Sequence, residues 1–213
     1  AESGFKGLVD LIEMKAIYYE SEKVGARFWE EDIPEDMADE VEHWRHLMLE
    51  AAAESDEEVM EKYVHEEEIP NEMLISALRK GTLKCTINPL FVGSALQNIG
   101  TRRLVDGVVK FLPSPLDMPA VHGHKPGDEE ENVEIICDSK KPFVALAFKI
   151  TNDKHGDLYF LRIYQGTLNK GSRVLNSTRD RKENVTRIFE MHAGSREILD
   201  SAQAGDIVAV VGL

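Results

Sequence analysis

The 213-residue sequence predicts a multidomain chain, α/β followed by all-β, and three features predict it. The first third is acidic and carries helical periodicity. A short strand–turn–helix unit ends at Pro113. Beyond Phe143, short alternating strands are punctuated by Gly, Asn and Asp turns. Hydrophobic residues make up 42% of the chain, enough to fold. No stretch approaches the ~18 apolar residues that span a bilayer. Ala1-Glu2-Ser3-Gly4 has neither a basic nor an apolar leader segment, so no signal peptide is read. The missing initiator Met suggests a piece excised from a longer chain.

From the start, residues 5–19 combine partial alternation with β-branched and aromatic content, which favours strand. A turn at 20–25 then leads to Arg27, Phe28 and Trp29, completing a hairpin. A helix is expected from Pro34, since proline suits a first helical position and Glu35 and Asp36 complement the positive end of the dipole. Met37, Val41, Trp44, Met48 and Ala51 form its expected buried face; Glu35, Asp39, Glu42 and His46 form another. Ser55 with Glu58 reads as a capping box for a second helix ending near Val64. Pro70 opens a third, with Arg79 and Lys80 in its last turn and Gly81 as its stop.

Residues 89–92, Pro-Leu-Phe-Val, read as a strand buried on both faces, ending in Gly93-Ser94-Ala95. Thr101 is the expected cap of a helix that buries Leu104, Val105, Val108, Val109 and Leu112 and stops before Pro113. Residues 113–142 carry several prolines and the acidic run 128–131, and read as a connection with an exposed loop. Val144, Leu146, Phe148 and Ile150 alternate over one strand. Further strands are expected at 158–165, 172–176, 185–191 and 207–211, with a glycine-bounded turn at 166–171. Their spacing suits a small barrel or sandwich.

The formal net charge of −14 is uneven: −17 over residues 1–72, −1 over 73–139 and +4 over 140–213. Such polarity suggests segments with different partners. Cys85 and Cys137 lie far apart with no zinc spacing, which suits free thiols in a reducing compartment. The chain has no GxxxxGK[ST] phosphate loop, no NKxD and no HExxH. His122 and His124 form the only close histidine pair and fall in the expected loop. No catalytic residue and no metal site is assigned.

Eleven short segments carry a resemblance. FKGLVDL at 5–11, then DIPEDM at 32–37, EAAAES at 50–55 and EKY at 61–63, are similar to the insertion in the GTPase domain of the elongation factor G family. FVGSAL at 91–96 and LPSP at 112–115 resemble the end of that GTPase domain. FVALAFK at 143–149, RIYQG at 162–166, GSRVLN at 171–176, MHA at 191–193 and AGDI at 204–207 resemble its second domain. The resemblance runs in order along nearly the whole chain.

What the resemblance implies is specific. The fold is the C-terminal part of a P-loop-type GTPase domain with an α+β insertion, followed by a translation-factor β-barrel. Residues 1–88 are the insertion, 89–115 the last strand and helix of the GTPase domain, 116–142 the connection, and 143–213 an incomplete barrel. Gly93, Ser94, Ala95 and Leu96 lie against the guanine base, where small residues let a backbone amide approach. This requires Val92 to Leu96 to leave a central strand, with a closed β module behind it. Glu35, Asp39 and Glu42 face the stalk protein of the large ribosomal subunit. Arg173, Arg179, Arg181, Lys182 and Arg187 contact small-subunit ribosomal RNA through its backbone. The full-length protein uses GTP or GDP with Mg, and this stretch alone binds neither and hydrolyses nothing. A monomer without membrane contact is expected, in the bacterial cytoplasm or the mitochondrial matrix. A non-enzymatic ribosome- or RNA-binding adaptor, or a ribosome-recycling paralogue with the same barrel, stays open beside the translocase reading.

Overall fold

The computed structural model describes residues 5–20, 27–153, 156–193 and 195–213. Two compact units divide it, Ala1–Leu112 and Pro113–Leu213.

The first unit opens with an antiparallel sheet of β1 (Gly7–Asp10), β2 (Lys15–Tyr19) and β3 (Phe28–Glu31), in that spatial order. The stretch read as one strand-rich run is split at 11–14. There the Asp10 carboxylate accepts from the Ile12 and Glu13 amides at 2.9 and 3.0 Å, an Asx turn that reverses the chain. The expected turn at 20–25 lies almost wholly outside the described residues.

The helix at Pro34 begins with a 3-10 turn, Glu35–Met37, and continues as α1 (Ala38–Ala53). Its buried stripe is not the expected one. Val41, Ala52 and Ala53 are buried and Met48 and Leu49 half-buried, whereas Trp44 is 53% exposed and Met37 also faces solvent. The reason is Arg45, which lies on the same stripe as Val41 and Met48. Its guanidinium donates to the Leu11 carbonyl and to the Ile12 carbonyl at the β1–β2 turn. Those backbone partners draw a charged residue inward and rotate Trp44 out. Burial lowers the Arg45 pKa, and the nearby Asp10 and Glu13 charges offset part of that effect.

Helix α2 (Glu57–Val64) is capped by Asp56, one residue later than expected. The Asp56 side chain accepts from the Glu58 and Val59 amides at 3.1 and 3.2 Å and binds the Lys80 ammonium. Asp outcompetes Ser because the carboxylate serves both the amides and a cation. Helix α3 (Asn71–Leu83) follows Pro70 and runs through Gly81 instead of stopping there. Gly81 is buried, and a Cβ at that position would strike the Ile87 side chain and Ser55. Ala52, Ala53, Val59, Leu74, Ala77 and Leu78 from the three helices form one core, joined by Phe111.

Residues 89–93 form no strand, because no described strand of this chain pairs with them. Leu90 is 88% exposed. An extended segment buried on both faces needs neighbours on both edges, and here it has none. Helix α4 (Thr101–Phe111) follows, with Gly100 in the left-handed conformation as its cap in place of Thr101. Its end is as expected, since Leu112 is extended ahead of Pro113. Its apolar stripe is not buried: Leu104, Val105, Val108, Val109 and Leu112 are all exposed, and only Gly107 and Phe111 are covered. Gly107 is required by a close approach, because a Cβ there would overlap the Phe91 ring.

In the second unit, the expected loop at 113–142 contains an antiparallel hairpin, β4 (Val121–Lys125) and β5 (Asp128–Ile135). The prolines around it are confined to its flanks and turn, where no ladder amide is lost. Next come β6 (Val144–Asp153), β7 (Gly156–Gln165), β8 (Thr167–Asn169), β9 (Arg173–Asn176), β10 (Arg181–Asn184), β11 (Arg187–His192), β12 (Ser195–Leu199), β13 (Ser201–Gln203) and β14 (Ile207–Val211). A five-stranded antiparallel sheet runs β12-β11-β14-β7-β6, accompanied by two-stranded ladders β9–β10 and β8–β13. Among the described residues β6 and β12 are its two edges. One face buries Leu161, Ile163, Ile188, Val208 and Val210 with Leu168, Val185 and Ala202. Leu158, Phe189 and Ala209 form a smaller cluster.

The alternation in β6 is real but does not serve the core. Register shifts at Val144/Ala145 and Ala147/Lys149 break its phase, and Leu146, Phe148 and Ile150 are exposed. Ala145 is the residue that packs against the larger core. A bulge reverses which set of side chains faces inward, and nothing in the residue pattern announces it.

Candidate functional site

The turn at 93–96 is built by its neighbours. Ser94 and Ile99 exchange backbone hydrogen bonds at 3.0 and 2.9 Å, and the Asn98 amide donates to the Ala95 carbonyl at 3.1 Å. Gly93 is demanded sterically, since a Cβ would lie 2.5 Å from the Ile99 carbonyl oxygen. With the Ser94 amide occupied, the Ala95 and Leu96 amides donate to no acceptor among the described residues. Leu96 is 93% exposed. The loop therefore offers two backbone donors on an open rim with minimal side-chain bulk. It does not leave a central strand, contrary to the requirement placed on residues 92–96, because 89–93 has no strand neighbour. The β module that follows in the chain consists of the five-stranded sheet and its accompanying two-stranded ladders.

Glu35, Asp39 and Glu42 fall on one side of the 3-10 turn and α1, all exposed and none ion-paired among the described residues. On the same side, His46 shares a hydrogen bond of 3.1 Å with the Tyr63 hydroxyl. Another side of the helix buries Val41, with Arg45 half-buried beside it.

The five basic residues of the second unit do not form one patch. Arg173 and Lys182 share the exposed face of the β9–β10 ladder, and Arg179 sits in its turn. Arg181 points to the other face, where its Nε donates to Glu183 at 2.6 Å. Glu183 is buried, and the hydrogen bond from Arg181, then that from Asn176, holds its pKa below the ordinary carboxylate value. Arg187 stands on β11 and lines a separate cleft with Arg196.

Several structural residues escaped sequence reasoning. Arg103 of α4 donates to Asp10 at 2.8 Å and Glu30 at 2.6 Å, clamping the first sheet to the helix. No local spacing signals a contact between residues so distant in sequence. Buried Gln165 accepts from the Ile136 amide and donates to the Pro142 carbonyl, fastening the segment that enters β6. Glu190, His192 and Glu197 bring potential metal-ligand atoms within 4.8 Å of one another, all exposed. That meeting arises from the β11–β12 register. His122 and His124 lie on β4, both exposed.

Comparison with known proteins now bears on this geometry. Residues 142–213 match the family model described as elongation factor G domain 2. The chain is 48% identical over 210 residues to elongation factor G of Salinibacter ruber, covering 98% of this chain and 30% of that protein. It is 46% identical to elongation factor G of Wolbachia pipientis, covering 100% of this chain and 31% of that one. A solved protein from Thermus thermophilus superposes with a TM-score of 0.73 at 25% identity, over 97% of this chain and 28% of its own. The chain thus spans about three-tenths of the length of the curated relatives it matches. Identity of this degree along both units, with the second domain matched separately, does not depend on the strand that failed to form, and it places the chain in the elongation factor G family.

Proposed function

We propose that the full-length protein is a ribosome-dependent GTPase that moves tRNA and mRNA through the ribosome during protein synthesis. The observation that carries this is the 46–48% identity to two elongation factors G over 98–100% of the chain. Residues 1–88 would be the GTPase-domain insertion, 89–115 the end of that domain, and 116–213 the connection and the start of the following barrel. The bacterial cytoplasm is the proposed compartment. Among the described residues no helix is long and apolar enough to cross a membrane.

The role proposed for 93–96 follows from its geometry. The guanine base presents an exocyclic oxygen that accepts a hydrogen bond. The Ala95 and Leu96 amides are donors without internal acceptors, and the small side chains of Gly93, Ser94 and Ala95 leave room for a ring edge. GTP or GDP with Mg would supply the phosphate chemistry, and this loop would only orient the base. The chain has no GxxxxGK[ST] loop to cradle phosphates, so this chain by itself is expected to bind GTP negligibly. Micromolar affinity in titration calorimetry would contradict that.

Glu35, Asp39 and Glu42 are proposed to meet a basic surface of the large-subunit stalk protein. An exposed acidic row raises the encounter rate more than the final affinity. Arg173, Arg179 and Lys182 are proposed to face ribosomal RNA phosphates, while Arg181 is committed to Glu183. The experiment for the whole reading is GTP hydrolysis by the full-length protein with and without ribosomes, followed by a translocation assay. Stimulated hydrolysis with movement of one codon supports a translocase. Stimulation with subunit splitting alone supports a recycling factor, and no hydrolysis supports an adaptor.

A further inference from the structure

Strands β11 and β12 form a hairpin whose ladder runs from the core outward. Ile188 pairs with Leu199, Glu190 with Glu197 and His192 with Ser195. Strand alternation puts these three pairs on one face. The inner end of that face is apolar: Ile188 has no exposed surface, and Leu199 packs against the larger core. The outer end is polar, with Glu190, His192 and Glu197 all exposed. Strand β14 pairs with β11 only from Arg187 to Phe189. From Glu190 outward, β11 therefore has β12 alone as its ladder neighbour among the described residues. A two-stranded ribbon is the least supported part of a sheet, so its tip gains most from a cross-link.

Glu190 and Glu197 stand directly opposite each other, an arrangement of like charges that costs stability. Among the described residues neither is paired with a lysine or arginine. What stands beside them is an imidazole: His192 Nε2 lies 3.9 Å from Glu190 Oε1. One ligand atom from each of the three side chains lies within 4.8 Å of the other two. In a Zn2+ site, nitrogen and oxygen donors stand about 2.0–2.2 Å from the ion. Exposed side chains reach that distance by rotation about their own bonds, with the backbone left in place. The backbone is already fixed, since the Ser195 hydroxyl donates to the His192 carbonyl at 2.9 Å and ties the closing pair. An imidazole joined to two carboxylates suits a borderline ion such as Zn2+, whereas Mg2+ and Ca2+ take oxygen ligands alone. His122 and His124 share a face of β4 opposite Glu134 and Asn132, but among the described residues their ligand atoms do not converge in this way.

We infer that Glu190, His192 and Glu197 bind a divalent cation of the zinc class at the tip of the β11–β12 hairpin. Two ligands come from β11 and one from β12, so the ion clips the edge strand to its neighbour. It also replaces the repulsion between the two opposed carboxylates with attraction to a shared charge. The exposure of all three side chains leaves the remaining coordination positions to water. The site is separate from the 93–96 turn and from the basic residues of the second unit, and it does not depend on the activity proposed for the full-length protein.

The test is calorimetric titration of this chain with Zn2+ in a non-chelating buffer, comparing wild type, H192Q, E190Q/E197Q and H122Q/H124Q. Circular dichroism checks that each variant folds, as exposed positions should allow. The expected result is saturable binding at one site that H192Q and E190Q/E197Q each weaken at least about tenfold, the loss that removing even a supporting partner of a ligand brings. H122Q/H124Q and an excess of Mg2+ should leave that binding unchanged. In wild type, the His192 ring resonances should shift with the first equivalent of Zn2+, a readout that needs no variant. No saturable binding by wild type, or His192 resonances that stay in place, overturns the site. Binding retained in H192Q or in E190Q/E197Q overturns the three-ligand set, and binding lost in H122Q/H124Q moves the ion to β4. Displacement of Zn2+ by Mg2+ at similar concentration overturns the zinc assignment in favour of an unselective acidic surface.

Discussion

Helices α1–α3 and helix α4 read alike in the sequence and end differently in the fold. Both carry apolar residues at helical spacing. In the first group that spacing becomes a core: Leu74 and Ala77 have no exposed surface. In α4 the stripe of Leu104, Val105, Val108 and Val109 stays in solvent, and Val109 is 78% exposed. Periodicity dictates that a helix has an apolar face, but what covers that face depends on segments elsewhere. For α1–α3 the cover is each other; in α4 the described residues bury only Phe111, against the α1–α3 core, and Gly107, against the Phe91 ring.

The sharpest break in this comparison is a matched pair of truncations. Leu74→Ala should cost about 2–5 kcal/mol of unfolding free energy, from lost burial and a residual cavity. Val109→Ala should shift stability by no more than about 0.5 kcal/mol. Thermal or urea denaturation of this chain reads both, and equal losses would mean that α4 is covered after all.

Next in size, Gly107→Ala should cost about 1–3 kcal/mol, because the new methyl meets the Phe91 ring. An ordinary exposed helix position would instead gain about 1 kcal/mol from the same change. The sign alone decides whether Phe91 is seated on α4.

Asp56→Ala should cost about 1–2 kcal/mol by removing the α2 cap. It also carries a pH signature. The Lys80 hydrogen bond first, then the Val59 and Glu58 amides, hold the Asp56 carboxyl below its ordinary value. A depressed folded pKa means that its stabilisation is complete above the unfolded value near 4 and disappears as pH falls through the folded one. Denaturation midpoints followed below pH 4 should drop more steeply for wild type than for D56A. Parallel curves would show that the Lys80 link does not operate in solution.

A smaller effect on stability belongs to the acidic row. E35K/D39K/E42K should change the unfolding free energy by about 1 kcal/mol at most, since all three side chains are exposed and only Glu35 and Asp39 lie in a first helical turn. In the full-length protein the same change should slow association with the stalk protein several-fold, more at low salt than high. Unchanged kinetics would remove the docking role.

Much of the fold was legible where local rules act alone. Pro34, Pro70 and Pro113 mark helix ends in both the sequence and the structure, because proline constrains its own and the preceding residue. The misses share a cause: each depended on a distant partner. Helical spacing alone puts Trp44 in the core, because nothing local signals that the Leu11 and Ile12 carbonyls draw Arg45 inward. Residues 89–92 read as a strand because their composition suits one, but a ladder needs a second chain segment. In β6 the alternation was correct and its direction reversed by bulges. Of the candidate sites, the acidic row was legible as a helix face. The basic run was not: strand register splits Arg181 and Arg187 from Arg173, Arg179 and Lys182.

The most direct measurement is GTP hydrolysis by the full-length protein, with and without ribosomes, paired with the same assay after a bulky residue replaces Ala95. Hydrolysis that rises steeply with ribosomes, and a KM for GTP that rises in A95F without loss of folding, is the result expected of a translational GTPase whose 93–96 turn lies on the base. Hydrolysis indifferent to ribosomes would contradict the proposed activity, and an unchanged KM in A95F would contradict the place assigned to that turn.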